Sequence, residues 1–231
     1  LRSALDAKKG SSAEVNLLLA SMLEKAGIDV SPVLISTRDN GFVRETVPVS
    51  SQFNYVICVA RVGDKKILLD ATDPLLPVGV LPQRCLNGHG LVISKLGPNW
   101  IPLASGLRSK DVNSADLVLS ADGELKGKIQ FEHSGYFARE CRKSYLVKGE
   151  TEYLKSAIAD RPWTIEKSEF VNAKNTSETF KEIYQVSITD HVASAGETIY
   201  LNPFLNMQEK ENPFKSRSEE HTSELQSHHP I

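Results

Sequence analysis

The chain is poor in the features that mark several common protein classes. It holds only three cysteines in 231 residues, Cys58, Cys85 and Cys141. An odd number at wide spacing is no disulfide framework, and no C-x-x-C pair offers a metal or redox motif. Buried or half-buried free thiols are the expectation. No apolar run is long enough to cross a membrane as a helix. Neither charge sign dominates: 27 Lys and Arg stand against 29 Asp and Glu, a formal net charge of −2. Without a basic stripe, no electrostatic nucleic-acid partner is expected. No internal repeat is visible. The chain opens on Leu1, with no charged region leading into an apolar stretch. We read this start as a cut, with any targeting signal lying upstream.

What is present is ordinary for a soluble globular protein, with 40% hydrophobic and 24% charged residues, enough for one large domain or two small ones. The last stretch is different. Arg217 to Ile231 reads RSEEHTSELQSHHPI, polar and without helical or strand periodicity. It resembles the in-frame translation of a sequencing-library adapter, and we exclude it from fold reasoning. Removing its one arginine and three glutamates from 27 and 29 leaves 26 of each sign, a formally neutral remainder. It also carries His221, His228 and His229, so a histidine-rich metal-binding tail is set aside.

Ser11-Ser12-Ala13-Glu14 fits a capping box that opens a helix running to Ala26. Leu17, Leu18, Met22, Leu23 and Ala26 give it an apolar face, and Gly27 a stop. Strands are predicted at Val30 to Thr37, Phe53 to Val62, Ile67 to Ala71 and Gly90 to Ser94, the middle two forming a hairpin around Gly63 to Lys66. Asp73 to Pro82 reads as a proline-rich loop. Ser105 to Ser114 is polar and reads as a linker. Beyond it, Asp116 to Ser120 and Glu124 to Glu132 alternate around an Ala121-Asp122-Gly123 turn. Gly135 to Asp160 carries two helical pieces broken near Gly149. Trp163 to Asn172, Thr179 to Asp190 and Thr198 to Leu201 read as further strands.

A cysteine acyl-transfer site needs a nucleophile at a helix N-terminus, where the dipole lowers its pKa. It also needs a histidine on a neighbouring strand and an acid that orients it. The first half has this frame in order: Gly10-Ser11-Ser12-Ala13-Glu14 at a helix start, Phe53-Asn54-Tyr55-Val56 at a strand start, and Leu68-Leu69-Asp70-Ala71-Thr72 at a strand end. With Leu81-Pro82 and Cys85-Leu86-Asn87-Gly88-His89-Gly90, these segments resemble the transglutaminase-like family. Residues 7 to 103 resemble the C-terminal part of its papain-like domain. The segment to Lys215 resembles the β-rich domain that follows it in exported bacterial proteins. The resemblance implies an α+β fold: a partial papain-like transglutaminase domain over residues 1–104, a linker over 105–114, and a β-rich domain with a helical insertion over 115–216. The tail occupies 217–231.

Carried over by position, the family's nucleophile falls on Ser12, its histidine on Tyr55 and its acid on Asp70. A serine hydroxyl is a weak nucleophile without a base, and a phenol with a pKa of about 10 supplies none at neutral pH. The resemblance therefore implies a non-catalytic module, a scaffold or a binder of peptide or glycan at the cell envelope, in a periplasmic or secreted protein. Two alternatives stand beside it: a residual hydrolase or acyltransferase using Ser12, and a structural support for an upstream domain. The bland readings are a helix cap for Ser12, a half-buried aromatic for Tyr55, and a strand-end acceptor for Asp70. Cys85 and His89 are a further candidate, a displaced catalytic pair in a Gly- and Asn-rich loop. His133 and His191 have no carboxylate or cysteine neighbours at ligand spacing. No metal and no cofactor are expected.

Overall fold

In the computed structural model, helix α1 spans Ser12–Lys25, and its start follows from its capping residues. Ser11 Oγ accepts the Glu14 backbone N–H, and the Glu14 carboxylate accepts the Ser11 N–H at 2.7 Å, closing the capping box. Gly27, at φ +80°, supplies the left-handed residue that ends the helix. Its N–H donates to Glu24 O and that of Ile28 to Leu23 O, satisfying the last carbonyls. The structure describes residues 5–6, 8–94, 97–159, 161, 163–189, 191–195 and 198–205. The stretch read as an adapter, 217–231, lies outside them.

The face of α1 that meets the sheet differs from the expected apolar stripe. Met22 is 61% exposed, whereas Asn16 is wholly buried. Six positions separate them, about 240° around a helix of 3.6 residues per turn. Met22 therefore points away from the side that packs on the strands.

Five antiparallel strands form the first sheet: β1 (Asp29–Ile35), β2 (Tyr55–Val62), β3 (Lys65–Leu69), β4 (His89–Val92) and β5 (Asn99–Pro102). Their order is β3-β2-β1-β4-β5. The β2–β3 hairpin is tighter than the sequence suggested, because Val62 already pairs with Lys65 across Gly63 and Asp64. β5 was not legible as a strand; it pairs with β4 through Leu91 and Trp100. The core beneath joins Val33, Ile35, Ile57, Val59, Leu81, Cys85, Ile101 and Leu103.

The second sheet is built from β6 (Asp111–Leu119), β7 (Leu125–His133), β8 (Trp163–Val171) and β9 (Phe180–Ile188), in the order β6-β7-β9-β8. β6 begins inside the segment read as a linker: Asp111 pairs with His133 and Ser114 with Gln130. It is an edge strand, mostly exposed along its length, and such a strand has little apolar alternation to betray it. Between β7 and β8 come the two expected helices, α2 (Gly135–Lys148) and α3 (Glu150–Ile158), with Gly149 between them. A short hairpin, β10 (Val192–Ala195) with β11 (Thr198–Leu201), follows. The chain is α+β, its helices lying apart from antiparallel sheets rather than alternating with parallel strands. Among the described residues, no helix is long and apolar enough to cross a membrane.

The two halves touch at the start of α2. Tyr136 Oη donates to Leu81 O at 2.6 Å, and the Arg139 guanidinium pairs with the Asp73 carboxylate at 2.8 Å. Deeper in α2, Arg142 is 1% exposed and spends its donors on the carbonyls of Asn172, Asn175 and Glu178. A buried guanidinium satisfied this way ties the loop before β9 to the helix.

The first half of the chain allows two stability predictions. Ser11→Ala removes the cap and costs about 1 kcal/mol, while Ser12→Ala changes stability by less than about 0.5 kcal/mol. A Cβ added to Gly90 would lie 2.6 Å from Val33 Cγ1 and 2.9 Å from Ile35 Cγ2. Gly90→Ala therefore overpacks the core and costs about 1–3 kcal/mol. Urea unfolding of the variants beside the parent chain measures all three.

Candidate functional site

Tyr55 opens β2, and Asp70 follows the last residue of β3, so the hairpin sets their side chains close together. Tyr55 Oη donates to Asp70 Oδ2 at 3.0 Å. The same hydroxyl lies 2.8 Å from Thr72 Oγ1 and accepts a hydrogen bond from the Arg84 guanidinium at 2.8 Å. Arg84 also donates to Thr72 Oγ1 at 3.0 Å, and its charge sits 5.2 Å above the Tyr55 ring. Burial raises the Tyr55 pKa above its ordinary value; hydrogen bonds from Thr72 and Arg84 offset part of that rise, and Asp70 adds to it. A phenol in this state is even less ionised at neutral pH than a free tyrosine, so less of it is available as a base.

Asp70 is held from two further sides. Its Oδ1 accepts the Thr72 N–H at 2.8 Å and the Asn16 side-chain amide at 3.0 Å. Asn16 in turn donates to Val56 O at 2.8 Å and accepts the Ala71 N–H at 2.8 Å. Asn16, Thr72 and Arg84 were missed by the sequence reading. Asn16 alone left a signal, as the one polar residue in Val15-Asn16-Leu17-Leu18-Leu19. The asparagines of the two other motifs clip loops: Asn54 bonds Thr37 through N–H and hydroxyl, and Asn87 donates to Gly41 O.

Ser12 does not join Tyr55 and Asp70 by a hydrogen bond among the described residues. It sits one helical turn above Asn16, which makes the connection instead. Every described histidine is engaged elsewhere, so none serves Ser12 as a base. His89 Nδ1 pairs with Glu45 at 2.8 Å, and His191 Nε2 meets Asn202 O at 2.9 Å. Cys85 and His89 do not form the displaced pair. Cys85 is buried with its thiol toward Asp70 Oδ2 at 3.8 Å, while His89 faces the exposed Glu45. Burial and the Asp70 charge push the Cys85 thiol up to about 12, and burial pushes Cys58 up to about 11. Neither is a thiolate at neutral pH. A cleft of about 540 Å³ lies at the far end of α1, lined by Glu24, Ile28, Arg61, Lys66 and Asn99 among others. No residue of the Tyr55–Asp70 cluster lines it.

The second half gathers a cluster that no sequence spacing showed. Residues facing the helices recur every second position: Ile129, Phe131 and His133 on β7, and Phe180, Glu182 and Tyr184 on β9. His133 Nδ1 meets the carboxylate of Asp111, and Nε2 lies 3.0 Å from Glu182 Oε1. The hydroxyls of Tyr153 and Tyr184 both donate to Glu182. Burial disfavours a charged His133, yet hydrogen bonds with Cys141, Glu182 and Asp111 outweigh it and push the group up to about 11. For Glu182 the balance runs the same way: burial opposes its charge, and His133, Tyr153 and Tyr184 overcome it and lower its pKa. His133 thus has carboxylate and cysteine neighbours after all, with 49 positions between it and Glu182.

Asn16→Ala would leave the Ala71 N–H, the Val56 carbonyl and Asp70 short of partners. It is expected to destabilise the chain by about 1–3 kcal/mol, whereas Tyr55→Phe, which deletes one hydroxyl, costs about 1 kcal/mol. Urea unfolding of both variants gives the order. Comparison of the chain with protein-family models, with curated proteins and with solved structures finds no match in any of the three.

Proposed function

We propose that the first domain is a non-catalytic module of the transglutaminase-like class, a scaffold or a binder of peptide or glycan at the cell envelope. The observation that carries the reading is the state of Tyr55, which stands where the resemblance puts the catalytic base. Its hydroxyl is committed to Asp70, Thr72 and Arg84. A helix N-terminus, a strand start and an acid at a strand end are the frame of a cysteine acyl-transfer site. Here that frame holds a serine without a base at one corner and a phenol at another. The envelope setting and the ligand classes rest on the resemblance to exported bacterial proteins. The rival reading, a hydrolase or acyltransferase using Ser12, lacks its base among the described residues.

The test is direct. The purified chain is expected to show no transglutaminase or protease activity and no labelling of Ser12 by a fluorophosphonate. The double variant Ser12→Cys with Tyr55→His is expected to place a thiol of lowered pKa at the helix start, seen as iodoacetamide labelling of Cys at position 12 that persists below the pH range of ordinary thiols. Acylation of Ser12 in the unaltered chain would overturn the proposal.

A further inference from the structure

The cluster beneath α2 and α3 has a composition that hydrogen bonding alone does not require. Ligand atoms from His133, Cys141 and Glu182 lie within 4.8 Å of one another. They are a nitrogen, a sulfur and an oxygen, supplied by β7, α2 and β9 respectively. His133 and Glu182 are almost fully buried, at 8% and 5% exposure. Asp111 occupies His133 Nδ1, which leaves Nε2 as the atom that faces Glu182.

We propose that His133, Cys141 and Glu182 form a binding site for a divalent metal ion of the zinc class, with Asp111 as the residue that orients the imidazole. Each part has a chemical reason. A mixed imidazole, thiolate and carboxylate set suits zinc and its first-row neighbours, while calcium and magnesium take oxygen ligands. A carboxylate on the outer nitrogen of a metal-binding histidine is the usual means of setting its tautomer and orientation. Around a tetrahedral zinc, ligand atoms sit about 3.4–3.6 Å apart, given metal–ligand bonds of about 2.0–2.3 Å. The His133 to Glu182 separation of 3.0 Å is already near that value, and the sulfur, within 4.8 Å of both, reaches it by a shift of about an ångström. The metal takes the place of the Nε2 proton that His133 otherwise shares with Glu182. Tyr153 and Tyr184 then remain as donors that fix the Glu182 carboxylate. Cys141 is only partly buried. Three protein ligands leave a fourth position for water.

The experiment uses the full chain, stripped with a chelator and dialysed, then titrated with Zn²⁺ and separately with Co²⁺. Cobalt reports thiolate ligation by a charge-transfer band in the near ultraviolet. The tail histidines bind metal without a thiolate, so the band isolates the proposed site. The unaltered chain is expected to show it at one equivalent. Cys141→Ser is expected to lose it, and Cys58→Ser and Cys85→Ser to keep it. A second measurement needs no variant: one equivalent of Zn²⁺ is expected to slow alkylation of Cys141 by iodoacetamide at least tenfold in peptide mass spectra. A Cys141→Ser spectrum equal to that of the unaltered chain, or Cys141 alkylation indifferent to zinc, overturns the proposal. Either result leaves the cluster as an imidazole held between two carboxylates.

Discussion

A primary amide placed under a β-sheet must find partners for two donors and an acceptor, and Asn16 meets that demand by joining three elements. It holds α1 to the Val56 carbonyl of β2 and to Asp70 and Ala71 beyond β3. An unpaired amide at zero exposure would cost as much as several good contacts contribute, so the position of α1 on the sheet is set to within a hydrogen bond's tolerance. Everything at the helix start inherits that placement. Ser12 lies one turn above, and Tyr55 and Asp70 lie across the hairpin from the anchor. The first half of the chain is thus organised around a polar contact, with the apolar core of Val33, Ile35, Ile57 and Leu81 on the inner side of the sheet.

The second half of the chain solves a harder version of the same problem. A carboxylate is buried at Glu182, in an inward row between Phe180 and Tyr184. Burying a charge is tolerable only when opposite charge and hydrogen-bond donors surround it. His133 and two tyrosine hydroxyls do this here. Aromatic rings close the space around them: Tyr145, Tyr153, Phe170 and Phe180 pack with ring centres between 4.8 and 6.4 Å apart. A polar knot inside an aromatic wall is costly to build as packing alone. That cost is the physical reason for reading it as a site rather than as incidental core.

The two clusters differ in what they leave available. Around Tyr55, the hydroxyls and the carboxylate bond mostly to one another, and the neighbouring thiols are pushed to high pKa by burial. Such a cluster holds its shape, and neither thiol beside it is ionised at neutral pH. Around His133, three different ligand atoms lie within 4.8 Å of one another, one of them from the partly buried Cys141. The first arrangement is a closed hydrogen-bond network. The second supports a capacity to bind that the frame does not suggest.

Much of the architecture could be read from the chain. The capping box at Ser11 and Glu14, the stop at Gly27, the pair of helices parted by Gly149 and the strands Tyr55–Val62 and Phe180–Ile188 all carry local signals, because caps, turns and period-two alternation act over a few residues. The nearness of Tyr55 and Asp70 was legible too, since a short hairpin joins them. What the sequence could not show were elements and contacts whose cause lies elsewhere in the chain. β6 looked like a linker because an edge strand owes its pairing to β7. Met22 looked buried because periodicity marks a stripe without saying which part of it the sheet covers. Asp111, His133, Cys141 and Glu182 are scattered over four elements, and only the register of β6, β7 and β9 under α2 brings them together. Local propensity determined where the helices and most of the strands lie; the pairing of strands far apart in the chain decided the edge strands β5 and β6 and which polar groups became neighbours, because hydrogen bonds between strands form between residues distant in sequence.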